Sequence, residues 1–294
     1  MTALRTIPEI VETEKYCLMV PCVYDCASAR AAEIAGYKAI LLSGGEVGEV
    51  LGGITEDEMT EDELFFVASH ICEFSPLPLI IDCGCFNPAP ASVYRWSKRF
   101  AEAGAMGLLI EDEDGIEKRE FLKMIKAALC ACENTKCVVI ARSNHKIRSE
   151  EDLDYVADLL NSAVELGAYM TMACGLNSME KARGIAERVK GHKFYPDQNS
   201  HQGKAEVTNE ELYQHGYELV SFHYMLKVAL ASMIEYGMKD LAAGNNIPSN
   251  EVKFYNGKDG HSAMPMFDYQ AKLDKRAEYT GERIVFHVPG EDKT

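Results

Sequence analysis

Short apolar runs and longer amphipathic ones alternate along most of the chain. The apolar runs are Cys17–Val23, Lys38–Ser43, Pro78–Asp82, Met106–Glu111, Lys136–Arg142, Ala168–Ala173, Lys193–Pro196 and Tyr217–Phe222. Each is short enough for a buried strand, and each is followed by apolar residues three or four apart, the spacing of a helix with one buried face. Helices are predicted over Cys26–Ala35, Glu61–Cys72, Ala91–Ala103, Glu117–Cys132, Glu150–Leu166, Ser178–Val189, Asn209–His215 and Tyr224–Ala243. Gly36, Gly104, Gly167 and Gly216 fall just before alternate strands, where helix C-caps belong. Eight strand–helix units predict an α/β fold of the (β/α)8 TIM-barrel type rather than an open sheet, which typically has fewer strands and an edge. The barrel is expected over residues 1–243. A polar C-terminal extension, residues 244–294, holds Tyr255, Met264, Met266, Phe267 and Phe286 and is expected to pack on the barrel or on a neighbouring subunit.

Composition narrows the partners. With 294 residues, 47% of them hydrophobic, the chain can bury one such barrel core. Its 46 acidic against 30 basic residues give a formal charge of −16, which repels phosphate backbones and anionic lipid, so neither nucleic acid nor membrane is an expected partner. No charged-then-apolar leader opens the sequence, and no run approaches the roughly 18 apolar residues of a membrane-spanning helix, so a cytoplasmic protein is expected. Ten cysteines in such a chain read as reduced thiols.

In a parallel α/β barrel, ligands bind beyond the carboxyl ends of the strands. Those ends carry Ser43-Gly44-Gly45, Asp82, Glu111-Asp112, Arg142-Ser143-Asn144-His145, Cys174-Gly175, Asp197-Gln198-Asn199 and His223. Two acids beside one arginine and a glycine-flanked serine suit a small anionic substrate, with Mg2+ held between Asp82 and Glu111 and Arg142 forking onto a carboxylate or phosphoryl group. Equally, the charges could be solvated loop residues, or Arg142 could pair structurally with Glu111. Cys83 and Cys85 form a Cys-x-Cys pair that, joined by Cys174 and His145, could bind a soft metal; small residues filling a pocket are the plainer reading. Cys130, Cys132 and Cys137 read as core packing, and Met170 and Met172 as barrel filling. His145 could act as an acid or base or sit on a loop, whereas His201, His215 and His223 show no spacing that favours a metal.

Several segments resemble the isocitrate lyase and phosphoenolpyruvate mutase superfamily. They are VYDCASARAAEIAGYKAILLSGG (Val23 to Gly45), PLIIDCGC followed by NPAPASVYR, AGAMGLLIEDE (Ala103 to Glu113), VVIARS (Val138 to Ser143) and LGAYMTMACG (Leu166 to Gly175). The resemblance implies a barrel, often assembled as a homo-oligomer that exchanges its last helix between subunits. It also implies C–C or P–C bond chemistry beside a 2-oxo acid, through an enolate held on Mg2+. By position it gives Ser43, Gly44 and Gly45 the substrate carboxylate, Asp82 and Glu111 the metal, and Arg142 the grip on substrate; Tyr24 and Cys174 join as substrate-binding candidates.

The sequence also departs from the superfamily pattern. Gly84 stands where the second acid of an Asp-x-Asp metal motif is expected. The Cys-Gly-His of the lyases' mobile loop is missing from IEDEDGIEKREFLK, leaving Lys118 as the candidate catalytic lysine. Cys174 replaces a glutamate or histidine, and the loop after strand 2 is shortened to LGGITEDEMT, where Asp57 could stand in for a missing aspartate only if the loop folds differently. Two functions therefore stay open: a divergent enzyme of phosphonomutase, hydrolase or carbon–carbon lyase type, and a barrel that binds a metabolite without turning it over.

Overall fold

The computed structural model describes residues 5–56, 58–84, 87–112, 116–253, 264–283 and 285; Asp57, Cys85, Tyr255 and Phe286 lie outside them. Eight parallel strands close into a barrel: β1 (Leu18–Val23), β2 (Ile40–Leu42), β3 (Leu79–Asp82), β4 (Gly107–Glu111), β5 (Val138–Ser143), β6 (Met170–Ala173), β7 (His192–Tyr195) and β10 (Tyr217–Phe222). They are hydrogen-bonded in the order β1-β10-β7-β6-β5-β4-β3-β2, the (β/α)8 arrangement that the alternation predicts. Between β7 and β10 a small antiparallel hairpin, β8 (Ser200–His201) with β9 (Lys204–Ala205), interrupts the pattern.

The core has two layers, set by the period-2 alternation of a strand. Val20, Leu41, Ile80, Leu109, Ile140, Met170, Met172, Phe194 and Leu219 fill the barrel interior. Ile81, Leu108, Ile110, Val139 and Val220 pack outward, against the helices. Helices α2 (Cys26–Ala35), α4 (Glu61–Phe74), α5 (Pro90–Ala103), α6 (Lys118–Cys132), α7 (Glu150–Leu166), α8 (Met179–Arg188) and α9 (Asn209–Gln214) supply that outer layer. Gly104 and Gly167 end α5 and α7 in the left-handed conformation, with φ of 109° and 117°. A side chain is strained there, and glycine lets the chain turn at once into the next strand.

Two helices of the barrel unit were not foreseen, nor were α11 (Ile247–Asn250) and α12 (Tyr269–Thr280) beyond it. The first, α1 (Ile7–Thr13), starts at a Thr6–Glu9 capping box and buries Ile7, Ile10 and Val11 against the barrel interior cluster. Its apolar spacing is short and polar residues surround it, so the pattern alone does not single it out. The second, α3 (Gly44–Val50), begins at the N-cap Ser43, whose hydroxyl accepts the Glu46 N–H at 3.2 Å. Its glycines read as loop, yet the N-cap starts a helix two residues beyond β2.

The chain divides into two compact units, the first ending at Leu226 and the second starting at Lys227. The second holds most of α10 (Met225–Ala243), α11 (Ile247–Asn250) and α12 (Tyr269–Thr280). Among the described residues no helix is long and apolar enough to cross a membrane. The nine described cysteines are free thiols; Cys132 and Cys137 are buried, whereas Cys130 is exposed rather than in the core.

Candidate active site

The alternation that fills the interior also aims the polar residues. Two residues beyond an inward Ile80 comes Asp82; likewise Glu111 follows Leu109, Arg142 follows Ile140, Cys174 follows Met172, and Ser43 follows Leu41. Register then brings partners level, with Glu111 beside Arg142 across β4 and β5. Together Ser43, Asp82, Arg142, Cys174, Asp197 and His223 line a cavity of about 260 Å³ at the carboxyl ends of the strands, floored by Leu41, Leu109 and Met172.

Arg142 is the hub of one wall. Its Nη1 donates to Asp82 Oδ2 at 2.6 Å, and its Nε lies 2.9 Å from Asn144 Oδ1, 3.2 Å from Cys174 Sγ and 3.2 Å from Glu111 Oε2. Burial works against the guanidinium charge, but Asp82, Cys174 and Glu111 outweigh it and hold Arg142 well above its usual pKa. Burial, with the Asp82 charge beside it, pushes Glu111 up to about 7 although Arg142 and Asn144 oppose the shift. Asn144 is held in turn by Asp112, a buried carboxylate that accepts the Asn144 N–H and, at 2.7 Å, the Ser143 hydroxyl. Arg142 thus pairs with Glu111, and the same network brings Asp82, Asn144 and Cys174 around the guanidinium.

Gly84 takes a different meaning in this setting. A Cβ there would collide with both oxygens of the Glu111 carboxylate, so the space beside Gly84 is filled by the acid from the next strand. On the other side, a Cβ on Gly44 would come within 2.8 Å of Glu56 Oε1, which places the chain's own carboxylate at the Ser43–Gly45 turn. Glu56 also adds to the negative field on Glu111. Asp57 was the sequence candidate from this loop; the side chain that reaches the site among the described residues is its neighbour, Glu56.

Asp82 Oδ1 is buried and has no hydrogen-bond partner. With Glu111 nearby, that oxygen fits a cation of the Mg2+ type, which uses one or two carboxylates with waters and substrate oxygens. Among the described residues no group of three or more His, Cys, Asp or Glu side chains is placed to hold a metal. Among the described residues a soft-metal centre is not assembled either, Cys85 lying outside them: Cys83 packs in the outer layer, its thiol 3.5 Å from Ile81 O, while Cys174 lies on Arg142 inside the barrel. His145 sits elsewhere too, its Nε2 3.0 Å from Asp152 Oδ1 and its ring against Tyr155, where it buttresses the start of α7.

Lys118, at the first residue of α6, is not among the cavity residues; its Nζ lies 2.5 Å from Asp158 Oδ2 on α7. Tyr24 is half-buried beside the site, close enough for Glu46 to help raise its phenol pKa, after burial and Asp25. The opposite wall contains groups that sequence reasoning passed over. Glu46, in the first turn of α3, is 7% exposed and its Oε1 lies 3.5 Å from His223 Nδ1. Nε2 of His223 lies 3.6 Å from the thiol of Cys22. The available signal was parity: His223 follows Leu219 and Ser221 on the inward face of β10.

Comparison with known proteins places this architecture. A family model described as phosphoenolpyruvate phosphomutase matches residues 9–242. The 2-methylisocitrate lyase of Salmonella typhimurium is 30% identical over 173 residues, covering 54% of this chain and 58% of that enzyme. That of Aeropyrum pernix is 24% identical over 285 residues, 92% of this chain and 91% of its own. The chain thus spans somewhat over half the length of the first relative and nearly all of the second. Among solved structures, oxaloacetate acetylhydrolase bound to 3,3-difluorooxalacetate superposes with a TM-score of 0.76 at 21% identity, covering 95% of this chain and 97% of its own. A 2,3-dimethylmalate lyase gives a TM-score of 0.75 at 24% identity, covering 91% and 96%. At these identities the structural likeness speaks to the fold.

Proposed function

Because the chain belongs to the phosphoenolpyruvate phosphomutase family, we propose that it is an enzyme making or breaking a C–C or P–C bond beside the carbonyl of a small 2-oxo acid or phosphonate, through an enolate. The observation that carries this reading is the convergence of Asp82, Glu111 and Arg142 at the strand ends. A cavity of about 260 Å³ suits a dianion of a few carbons rather than a drug-sized ligand. In this reading Arg142 forks onto the substrate carboxylate, exchanging part of its hold on Asp82 and Glu111 for the ligand. Ser43 and the backbone of Gly44 and Gly45 take the other end, where Glu56 now lies. Asp82 and Glu111 would hold Mg2+ with water, and the ion would supply charge stabilisation for the enolate oxygen. Cys174 and the floor residues Leu41, Leu109 and Met172 limit the water that can reach the intermediate.

A barrel that binds without turnover is the weaker reading, since the relatives named above are lyases and a hydrolase. The test is direct: purified protein with Mg2+ is incubated with oxaloacetate, 2-methylisocitrate and phosphonopyruvate. Product from at least one is expected; none from any would overturn the enzyme reading.

The proposal extends to assembly. Leu230, Ile234, Met238 and Leu241 are exposed along α10 at spacings of one helical face, with Leu241 at 85%. A second copy of the chain would cover that row, as helix exchange in the superfamily implies. Ile234→Glu combined with Met238→Glu is expected to reduce the mass seen by light scattering to that of one chain. An unchanged mass would contradict it.

A further inference from the structure

We infer that His223, oriented by Glu46, is a proton-transferring residue of the same cavity, working on the wall opposite Arg142. The inference rests on the enolate reading and adds to it the group that moves the proton.

Three observations carry it. His223 stands at the end of β10 and lines the cavity together with Asp82, Arg142 and Asp197, its side chain 48% exposed. A ring so placed does not fill the core. Its Nδ1 faces Glu46 Oε1 at 3.5 Å, and Glu46 is itself buried and carried by the turn that presents Ser43. The other Glu46 oxygen, Oε2, has no hydrogen-bond partner, and neither does Oδ1 of Asp197, which lines the same cavity. A buried carboxylate left half-satisfied is costly. A proton on Nδ1 of the imidazole gives Glu46 Oε1 its donor, and a second proton on the ring adds the opposite charge.

The groups that face His223 come from four elements: Cys22 on β1, Glu46 on α3, Asp82 on β3 and Asp197 after β7. The Glu46 contact first, then the charges of Asp197, Glu46 and Asp82, raise the proton affinity of the ring, with burial opposing. Nδ1 is committed to Glu46, so Nε2 is the reacting nitrogen. Its protein neighbour is the Cys22 thiol at 3.6 Å, a contact too long and weak to hold the nitrogen's lone pair. Cys22 is fully buried and does not line the cavity, so it is no nucleophile here.

The step balances without an oxidant or a second reactant. Neutral His223 takes the proton from the hydroxyl of a 2-hydroxy acid, or of a hydrated 2-oxo acid, at Nε2. The C–O oxygen becomes a carbonyl, the adjacent C–C bond breaks, and its electron pair stays on the departing carbon as an enolate. The imidazolium returns the same proton to that carbon and ends neutral. Glu46 stabilises the transient cation and fixes the ring, a positioning role.

The experiment uses the whole chain with Mg2+ and reads turnover, binding and ring titration separately. With oxaloacetate and 2-methylisocitrate as substrates, His223→Asn is expected to lower kcat roughly 100-fold or more, while the affinity for oxalate by calorimetry stays within about twofold. The rise of kcat/KM with pH in the wild type should vanish in His223→Asn and shift to lower pH in Glu46→Gln, with Glu46→Asp restoring part of the shift. An unchanged kcat and pH profile in His223→Asn would overturn the inference. If the wild type turns over neither substrate, the enolate reading fails first. The imidazole is then followed by NMR in the wild type: movement of the His223 resonances and their titration on adding oxalate supports the placement, and resonances indifferent to oxalate overturn it.

Discussion

The two walls of the cavity are built on different principles. The β3–β5 wall is tied to one hub by short contacts: Arg142 is shared among Asp82, Glu111, Asn144 and Cys174, Asn144 is locked by Asp112, and Asp82 keeps one oxygen, Oδ1, without a partner. On the wall formed by β1, α3 and β10, the ring of His223 meets Glu46 and Cys22 at long distances of 3.5 and 3.6 Å, and Glu46 keeps an unpaired buried oxygen. A network tied by short bonds to one guanidinium resists movement and suits gripping a substrate. A loosely satisfied pair changes its proton count at small cost and suits proton transfer. The contrast divides binding from chemistry within one small cavity.

The largest effect should come from the Arg142 wall. Arg142→Met removes the cation and leaves Asp82 and Glu111 buried without it, which is expected to cost about 3–5 kcal/mol in urea unfolding. Adding Glu111→Gln to Arg142→Met should recover part of that loss, because one of the two stranded charges is gone; a double variant less stable than the single one would break the picture of a charge-balanced wall.

Gly84 sharpens the same comparison with a smaller effect. Gly84→Ala puts a Cβ into the Glu111 carboxylate, which Arg142 and Asn144 restrain, and an overpacking cost of about 1–2 kcal/mol is expected. Gly237→Ala in α10 meets nothing within 4 Å and should instead gain up to about 1 kcal/mol through helix propensity. Equal effects at the two glycines would mean that the collision is relieved by a simple rotation of Glu111.

The smallest effect belongs to the open wall and depends on pH. His223 has its folded pKa raised, chiefly by Glu46. Its contribution to stability is therefore full below the unfolded value of about 6.5 and is lost as pH rises through the folded pKa. Glu46, Asp197 and Asp82 set that field, and the Cys22 thiol, whose pKa burial raises, is the remaining neighbour of the ring. The stability difference between the wild type and His223→Asn should be larger at about pH 5.5 than at about pH 9. A difference that grows toward alkaline pH would reverse the assigned sign.

Much of this was legible from the chain, for a definable reason. Strand parity and strand ends are local, so the apolar runs alone point to Asp82, Glu111 and Arg142 at one end of a barrel. What escaped was non-local. Glu46 lies in a glycine-rich turn that reads as loop, and its meaning comes from a histidine at the other end of the barrel domain. His223 was in view at a strand end but had no sequence neighbour to suggest a role. Gly84 read as a missing acid, whereas in space it is the clearance that admits Glu111. Lys118, inferred from what remained of a loop, stands at the start of a helix and meets Asp158 on the next one.

The most direct test of a built anion site is a calorimetric titration of the wild type and Arg142→Met with oxalate, a planar dianion shaped like the enolate of a 2-oxo acid, in the presence of Mg2+. Saturable binding by the wild type, weakened at least 100-fold in Arg142→Met, is the predicted result. Absence of binding to the wild type, or equal binding by both proteins, would contradict the assignment of this cavity as the active site.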